Sequence, residues 1–108
     1  MTRSLPPLLE AHKQEIAALC ELHGVDRLEA FGSLVDGDFD SERSDADLVV
    51  EFDLARSRDA LHQYFDFKSA LERLLERPVD LVELGAMENT RLRRAIVRSK
   101  VPVYAKTA

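Results

Sequence analysis

Asp45-Ala46-Asp47-Leu48-Val49-Val50-Glu51-Phe52 is the stretch on which the fold turns. Ala46 through Phe52 is rich in valine and reads as a β-strand, with acids gathered at its entrance. Further on, Ala60, Leu61, Tyr64, Phe67, Leu71, Leu74 and Leu75 recur at helical spacing and predict a long helix with these residues inward. Pro78 ends that helix, and Val79-Asp80-Leu81-Val82 reads as the next strand. Strand, long helix, strand is a crossover unit. The two strands are therefore expected to lie parallel in one sheet.

On the N-terminal side, Leu8, Leu9, His12, Ile16, Leu19 and Cys20 predict one helix, begun by Pro6-Pro7 and stopped at Gly24. Arg27 to Phe31 reads as a short strand, Gly32-Ser33 as a break into a short helix, and Gly37 to Ser44 as a loop. Asn89 to Ser99 predicts a last helix, with Leu92 and Ile96 inward and Arg91, Arg94 and Arg98 outward. Val101-Pro102-Val103-Tyr104 adds an edge strand, where a proline is tolerated. The expectation is one α/β (α+β) domain over residues 1–108, with a small mixed sheet. Helices should pack mainly against one face, leaving acids on the open face.

At 108 residues the chain fits one domain with a real core. Its 45% hydrophobic and 32% charged content is ordinary for a globular protein. One cysteine rules out an intramolecular disulfide framework and suits a reducing compartment. No apolar run approaches the ~18 residues of a membrane span, and Met1 to Pro7 lacks the apolar core of a signal peptide. A cytoplasmic location is expected. The net charge of −5 argues against general nucleic-acid binding. That charge is unevenly spread. Asp36, Asp38, Asp40, Glu42, Asp45 and Asp47 face the single base Arg43, whereas Arg91, Arg93, Arg94, Arg98, Lys100 and Lys106 follow Glu88. The first region could attract cations and the second an acidic surface.

Asp45 and Asp47 stand two apart at a strand entrance, so their carboxylates leave the same face. Hard divalent cations prefer such oxygen ligands. With parallel strands about 4.8 Å apart, Asp80 comes up beside the pair. Three gathered carboxylates repel one another unless a metal neutralises them. A two-metal site for displacement at phosphorus, its ions roughly 3.5–4 Å apart, needs this number of ligands. Gly32 lets a phosphate approach the backbone closely, and Ser33 adds a hydroxyl at a helix N-terminus that favours anions.

Phe31-Gly32-Ser33, then Asp45-Ala46-Asp47 leading into Leu48-Val49-Val50-Glu51-Phe52, with Asp80 on a later strand, resembles the signature of the DNA polymerase beta nucleotidyltransferase superfamily. The length resembles that of its stand-alone minimal nucleotidyltransferases. The resemblance implies a polymerase-beta-like fold in which Asp45 and Asp47 bind two Mg²⁺ ions. Asp80 would complete the ion that activates an attacking hydroxyl, and Gly32 and Ser33 would hold the β- and γ-phosphates of ATP. It further implies transfer of AMP to a hydroxyl, and a partnership in which the chain is the antitoxin of a helical HEPN-class toxin. A tyrosine of that toxin is the implied acceptor, and a hetero-oligomer the implied assembly. One departure stands out: Leu34-Val35-Asp36-Gly37 follows Gly-Ser, where many members place a base. That departure favours the alternative of a catalytically weak antitoxin that binds and occludes its partner. A small-molecule nucleotidylating enzyme would need a further domain.

Other residues have plainer readings. Cys20 lies on an apolar helical stripe and reads as core. His12, His23 and His62 show no metal-ligand spacing. Glu51 lies about 13 Å along the strand from Asp47 and reads as solvated. Arg56, His62 and Tyr64 form a loose pattern in which Tyr64 has a packing role.

Overall fold

The structure, a computed structural model, describes residues 5, 7–32, 45–53, 59–88 and 90–106. Its elements are α1 (Pro7–Ala11), α2 (Lys13–Leu22), β1 (Val25–Ala30), β2 (Ala46–Phe52), α3 (Ala60–Leu75), β3 (Val79–Val82), a 3₁₀ turn (Leu84–Ala86), α4 (Arg91–Ser99) and β4 (Val101–Ala105). The strands form one four-stranded sheet in the order β3-β2-β1-β4. β1 is antiparallel to both β2 and β4, and β2 is parallel to β3. The α+β fold with a mixed sheet is as the sequence predicts, including the parallel crossover pair.

Alternation along β2 divides the molecule into two layers. Ala46, Leu48 and Val50 turn to a core shared with Leu9, Ile16, Cys20, Phe67, Leu71 and Leu75 from the first three helices. Val49 turns to the opposite face, where it packs with Phe31 and Ile96 of α4. Among the described residues α1, α2 and α3 thus cover one face and α4 covers part of the other. Asp59 caps α3 by accepting a hydrogen bond from the His62 N–H at 3.1 Å. Thr90 does the same for α4, accepting from the Arg93 N–H at 3.2 Å. Gly24, at φ +69°, ends the N-terminal helical segment in the left-handed conformation that glycine adopts without a Cβ clash.

Three expectations need correction. The predicted N-terminal helix is two helices, broken at His12, whose N–H bonds the Leu9 carbonyl three residues back at 3.2 Å. Leu61 is 69% exposed and Ala60 is also exposed. Leu92 is 60% exposed. All three lie in the first turns of α3 and α4, ahead of the buried residues Phe67 and Ile96. Periodicity identifies the apolar arc of a helix but not how far along it a neighbouring element reaches. The short helix expected after Gly32-Ser33, the loop from Gly37 to Ser44, Arg56 and Asn89 lie outside the described residues. Among the described residues no helix is long and apolar enough to cross a membrane.

Candidate functional site

The start of the parallel pair brings two of the predicted residues, Asp47 and Asp80, together. In the β2–β3 register Asp47 and Asp80 are Cα partners, between the pairs Ala46–Val79 and Leu48–Leu81. Partners on adjacent parallel strands are about 4.8 Å apart and project to the same face. Leu48 and Leu81 belong to the helix-covered core, so the two aspartates project to the other face. Asp80 is exposed and Asp47 half-buried. Asp45 is exposed and sits one residue ahead of β2.

Gly32 completes this corner. The Phe31 N–H donates to the Asp47 carbonyl at 3.1 Å, extending the β1–β2 ladder to the strand end. Gly32 then turns away at φ +65°. A Cβ built there would lie 2.6 Å from Asp47 Oδ2. Only the bare backbone of glycine leaves room for the carboxylate. Ser33 lies outside the described residues.

Among the described residues no group of three or more His, Cys, Asp or Glu side chains stands together as a ready-made metal cage. The described arrangement is a carboxylate pair, Asp47 and Asp80, against a glycine turn, with Asp45 at the strand mouth. The donor set is all oxygen, which fits Mg²⁺ or Mn²⁺ and not a soft metal.

A cavity of about 580 Å³ lies elsewhere: its lining includes Glu29, Val49, Glu51, Arg93 and Lys100 but none of the three aspartates. It opens at the other end of β2, on the side reached by α4 and the 3₁₀ turn. On its wall the Glu29 carboxylate, 6% exposed as a residue, pairs with Lys100 Nζ at 2.5 Å. Sequence reasoning assigned Glu29 no role, because its cation is 71 residues away and reaches it only through the pairing of β1 with β4.

The remaining candidates behave as their spacing suggests. Cys20 is buried, and burial with the nearby Glu21 carboxylate pushes its thiol up to about 12. His62 Nδ1 hydrogen-bonds the Asp59 carboxylate at 2.6 Å, and that bond raises the imidazole above its ordinary value. His12 pairs with Glu15 at 3.0 Å. His23 packs against Phe67, and burial lowers its pKa. Glu51 is exposed. Tyr64 packs against the main core and donates its hydroxyl to the Leu81 carbonyl. That bond runs to the residue beside Asp80, and helix periodicity gives no sign of it.

The mixed sheet pairs two carboxylates across parallel strands beside a glycine turn. The family model of the nucleotidyltransferase domain matches residues 13–103, and the chain belongs to that family. Among solved structures it is similar to one provisionally described as a minimal nucleotidyltransferase. The two are 33% identical with a TM-score of 0.73, over 94% of this chain and 99% of the other. A toxin–antitoxin structure with AMP-PNP shares the fold at 24% identity and a TM-score of 0.66, covering 87% of this chain and 73% of that one. So does a complex of tri-AMPylated Shewanella oneidensis HEPN toxin with its MNT antitoxin, at 20% identity and a TM-score of 0.63, covering 91% and 73%. Comparison with curated protein sequences gives no match.

Proposed function

We propose that the chain is a Mg²⁺-dependent nucleotidyltransferase that moves AMP from ATP to a hydroxyl on a partner protein, a tyrosine of a HEPN-class toxin. The observation that carries this reading is the register of Asp47 with Asp80 beside the Gly32 turn. Membership of the nucleotidyltransferase domain family supports the chemistry. The AMPylated toxin bound to a protein of the same fold supports the choice of acceptor.

In this reading Asp45, Asp47 and Asp80 would hold two Mg²⁺ ions, whose charge would offset that of the phosphates and favour the ionised acceptor hydroxyl. Gly32 and Ser33 receive the β- and γ-phosphates, with the backbone at Gly32 open to close approach. The acceptor oxygen forms a bond to the α-phosphorus as the bond from that phosphorus to the bridging oxygen breaks. Pyrophosphate leaves with the electron pair. The acceptor's proton passes to solvent or to a carboxylate of the cluster. The chain acts through positioning and charge rather than covalent chemistry of its own.

The test is intact-mass spectrometry of the cognate toxin after incubation with the chain, Mg²⁺ and ATP. Each transfer adds about 329 Da, the mass of the AMP group. Asp80→Asn should stop the transfer while nucleotide still binds through Asp45 and Asp47. A second reading is favoured by Leu34-Val35-Asp36-Gly37, which follows Gly32-Ser33 without the base that many members place there. It makes the chain an antitoxin that occludes its partner without modifying it. A toxin that is fully inhibited yet unchanged in mass would establish that second reading and overturn the first.

A further inference from the structure

Among the described residues β3 is an end strand, hydrogen-bonded to β2 on one side only. Successive residues of a strand send their N–H and C=O groups to alternate sides. The Ala46 N–H donates to the Pro78 carbonyl at 3.0 Å. Pro78 and Asp80 therefore address β2, and Val79 and Leu81 address the open edge. Such an edge is ordinarily left to water or to another strand. Here two side chains of the crossover helix meet it. Glu72 Oε2 accepts the Val79 N–H at 2.9 Å, and the Tyr64 hydroxyl donates to the Leu81 carbonyl. The residue bracketed by these two bonds is Asp80.

We propose that Tyr64 and Glu72 are positioning residues: they take the place of a neighbouring strand along β3 and hold Asp80 in register with Asp47. Both bonds are half-buried, which makes them less open to exchange with water than surface bonds. Neither residue faces the acceptor side of the sheet, since α3 packs against the opposite face. Their effect on transfer passes through Asp80, and that part of the inference rests on the function proposed above.

The experiment uses Tyr64→Phe, Glu72→Leu and Glu72→Gln, the last keeping an amide oxygen that can still accept the Val79 N–H. Hydrogen exchange on the metal-free chain should show amides 79–82 exchanging at least tenfold faster in Tyr64→Phe and Glu72→Leu. Leu48 and Val50 should keep their protection, and Glu72→Gln should stay close to the parent. In the transfer assay the first two variants should lose at least tenfold in kcat, with KM for ATP changed less than twofold and Glu72→Gln restoring most of the rate. Exchange at 79–82 equal to the parent, or acceleration spread evenly over the sheet, overturns the inference. So does an unchanged kcat in an active protein. Localised acceleration in these variants, with a parent that transfers no AMP, upholds the positioning of Asp80 and instead removes the proposed function.

Discussion

Gly32 and Asp47 share a space that admits only one of a Cβ and a carboxylate: a methyl group at position 32 would stand 2.6 Å from Asp47 Oδ2. Two penalties therefore fall together on Gly32→Ala. The φ of +65° costs an L-residue about 1–2 kcal/mol, which would lower the melting temperature by roughly 5–10 °C in a domain this small. The second penalty falls on function, because the Asp47 carboxylate must leave the place it holds beside Gly32 or the turn must open. Calorimetry should show ATP affinity reduced at least tenfold in a variant that still folds. A Gly32→Ala variant that melts lower but binds ATP like the parent would place the nucleotide away from this corner.

The carboxylate pair makes a separate statement about metal. Asp47 and Asp80 are register partners with Asp45 next in line, so divalent cation should bind the folded chain in preference to the unfolded one. Binding to the native state raises stability by mass action. Millimolar Mg²⁺ or Mn²⁺ should raise the melting temperature of the parent by a few degrees, and Asp45→Asn with Asp47→Asn should remove that rise. A double variant that responds to metal as the parent does would mean that the cation sits elsewhere.

What the sequence made legible follows from the range of its signals. Two apolar strands joined by one long amphipathic helix constrain each other through the handedness and closeness of a crossover. This is why the side-by-side placement of Asp47 and Asp80 could be foreseen. Gly32 could be singled out as glycine, but its contact with Asp47 depends on how β1 and β2 meet at their ends. Glu29 with Lys100, and Tyr64 with Leu81, were not legible. Each joins residues on different elements by one hydrogen bond, and neither leaves a periodic trace. The break at His12 was equally silent, since Leu9, Ile16 and Cys20 keep helical spacing across it.

The pair Glu29–Lys100 should behave as a buried ion pair. Glu29 is almost fully enclosed, while the Lys100 side chain is 21% exposed. Removing the cation alone leaves an enclosed carboxylate without its partner, and Lys100→Met should cost about 3 kcal/mol, the lower end of the range for such losses. Replacing both, as Glu29→Leu with Lys100→Met, should be close to neutral because neither charge then has to be desolvated. A urea-unfolding double-mutant cycle measures the difference. Equal destabilisation by the single and double variants would show that packing, not charge, dominates at this wall.

Cys20 gives a prediction with a defined pH window. Its folded pKa, about 12, lies above the ordinary 9.0, so the folded state holds the thiol proton more tightly than the unfolded state. Stability from this source is fully present below pH 9 and declines as pH rises from there toward 12. The urea midpoint of the parent should fall over that interval more than that of Cys20→Ala. At neutral pH the folded thiol should resist iodoacetamide until denaturant exposes it. Rapid alkylation of native protein at neutral pH would contradict the burial of this side chain.

The arginines of α4 carry the last prediction. Arg91, Arg94 and Arg98 are exposed along one side of the helix, with Val97 beside them 44% exposed. Arg93 is different, since its Nε donates to the Leu84 carbonyl at 3.2 Å and ties the helix to the 3₁₀ turn. On the inner side of α4, Ile96 packs with Phe31 and Val49, on the same face of the sheet as Asp47 and Asp80. A partner seated on the arginine stripe would therefore lie on the side from which a hydroxyl must arrive, and an acidic surface would match it. Reversal of Arg91, Arg94 and Arg98 to glutamate should weaken binding of the cognate toxin at least tenfold by calorimetry. The loss should be larger at about 50 mM than at about 300 mM salt, because exposed charges are least screened there. Lys13→Glu, Lys68→Glu and Arg73→Glu together, on helices of the opposite layer, are the control for net charge. If that control weakens the complex as much as the stripe variant does, the effect comes from overall charge and α4 is not the docking surface.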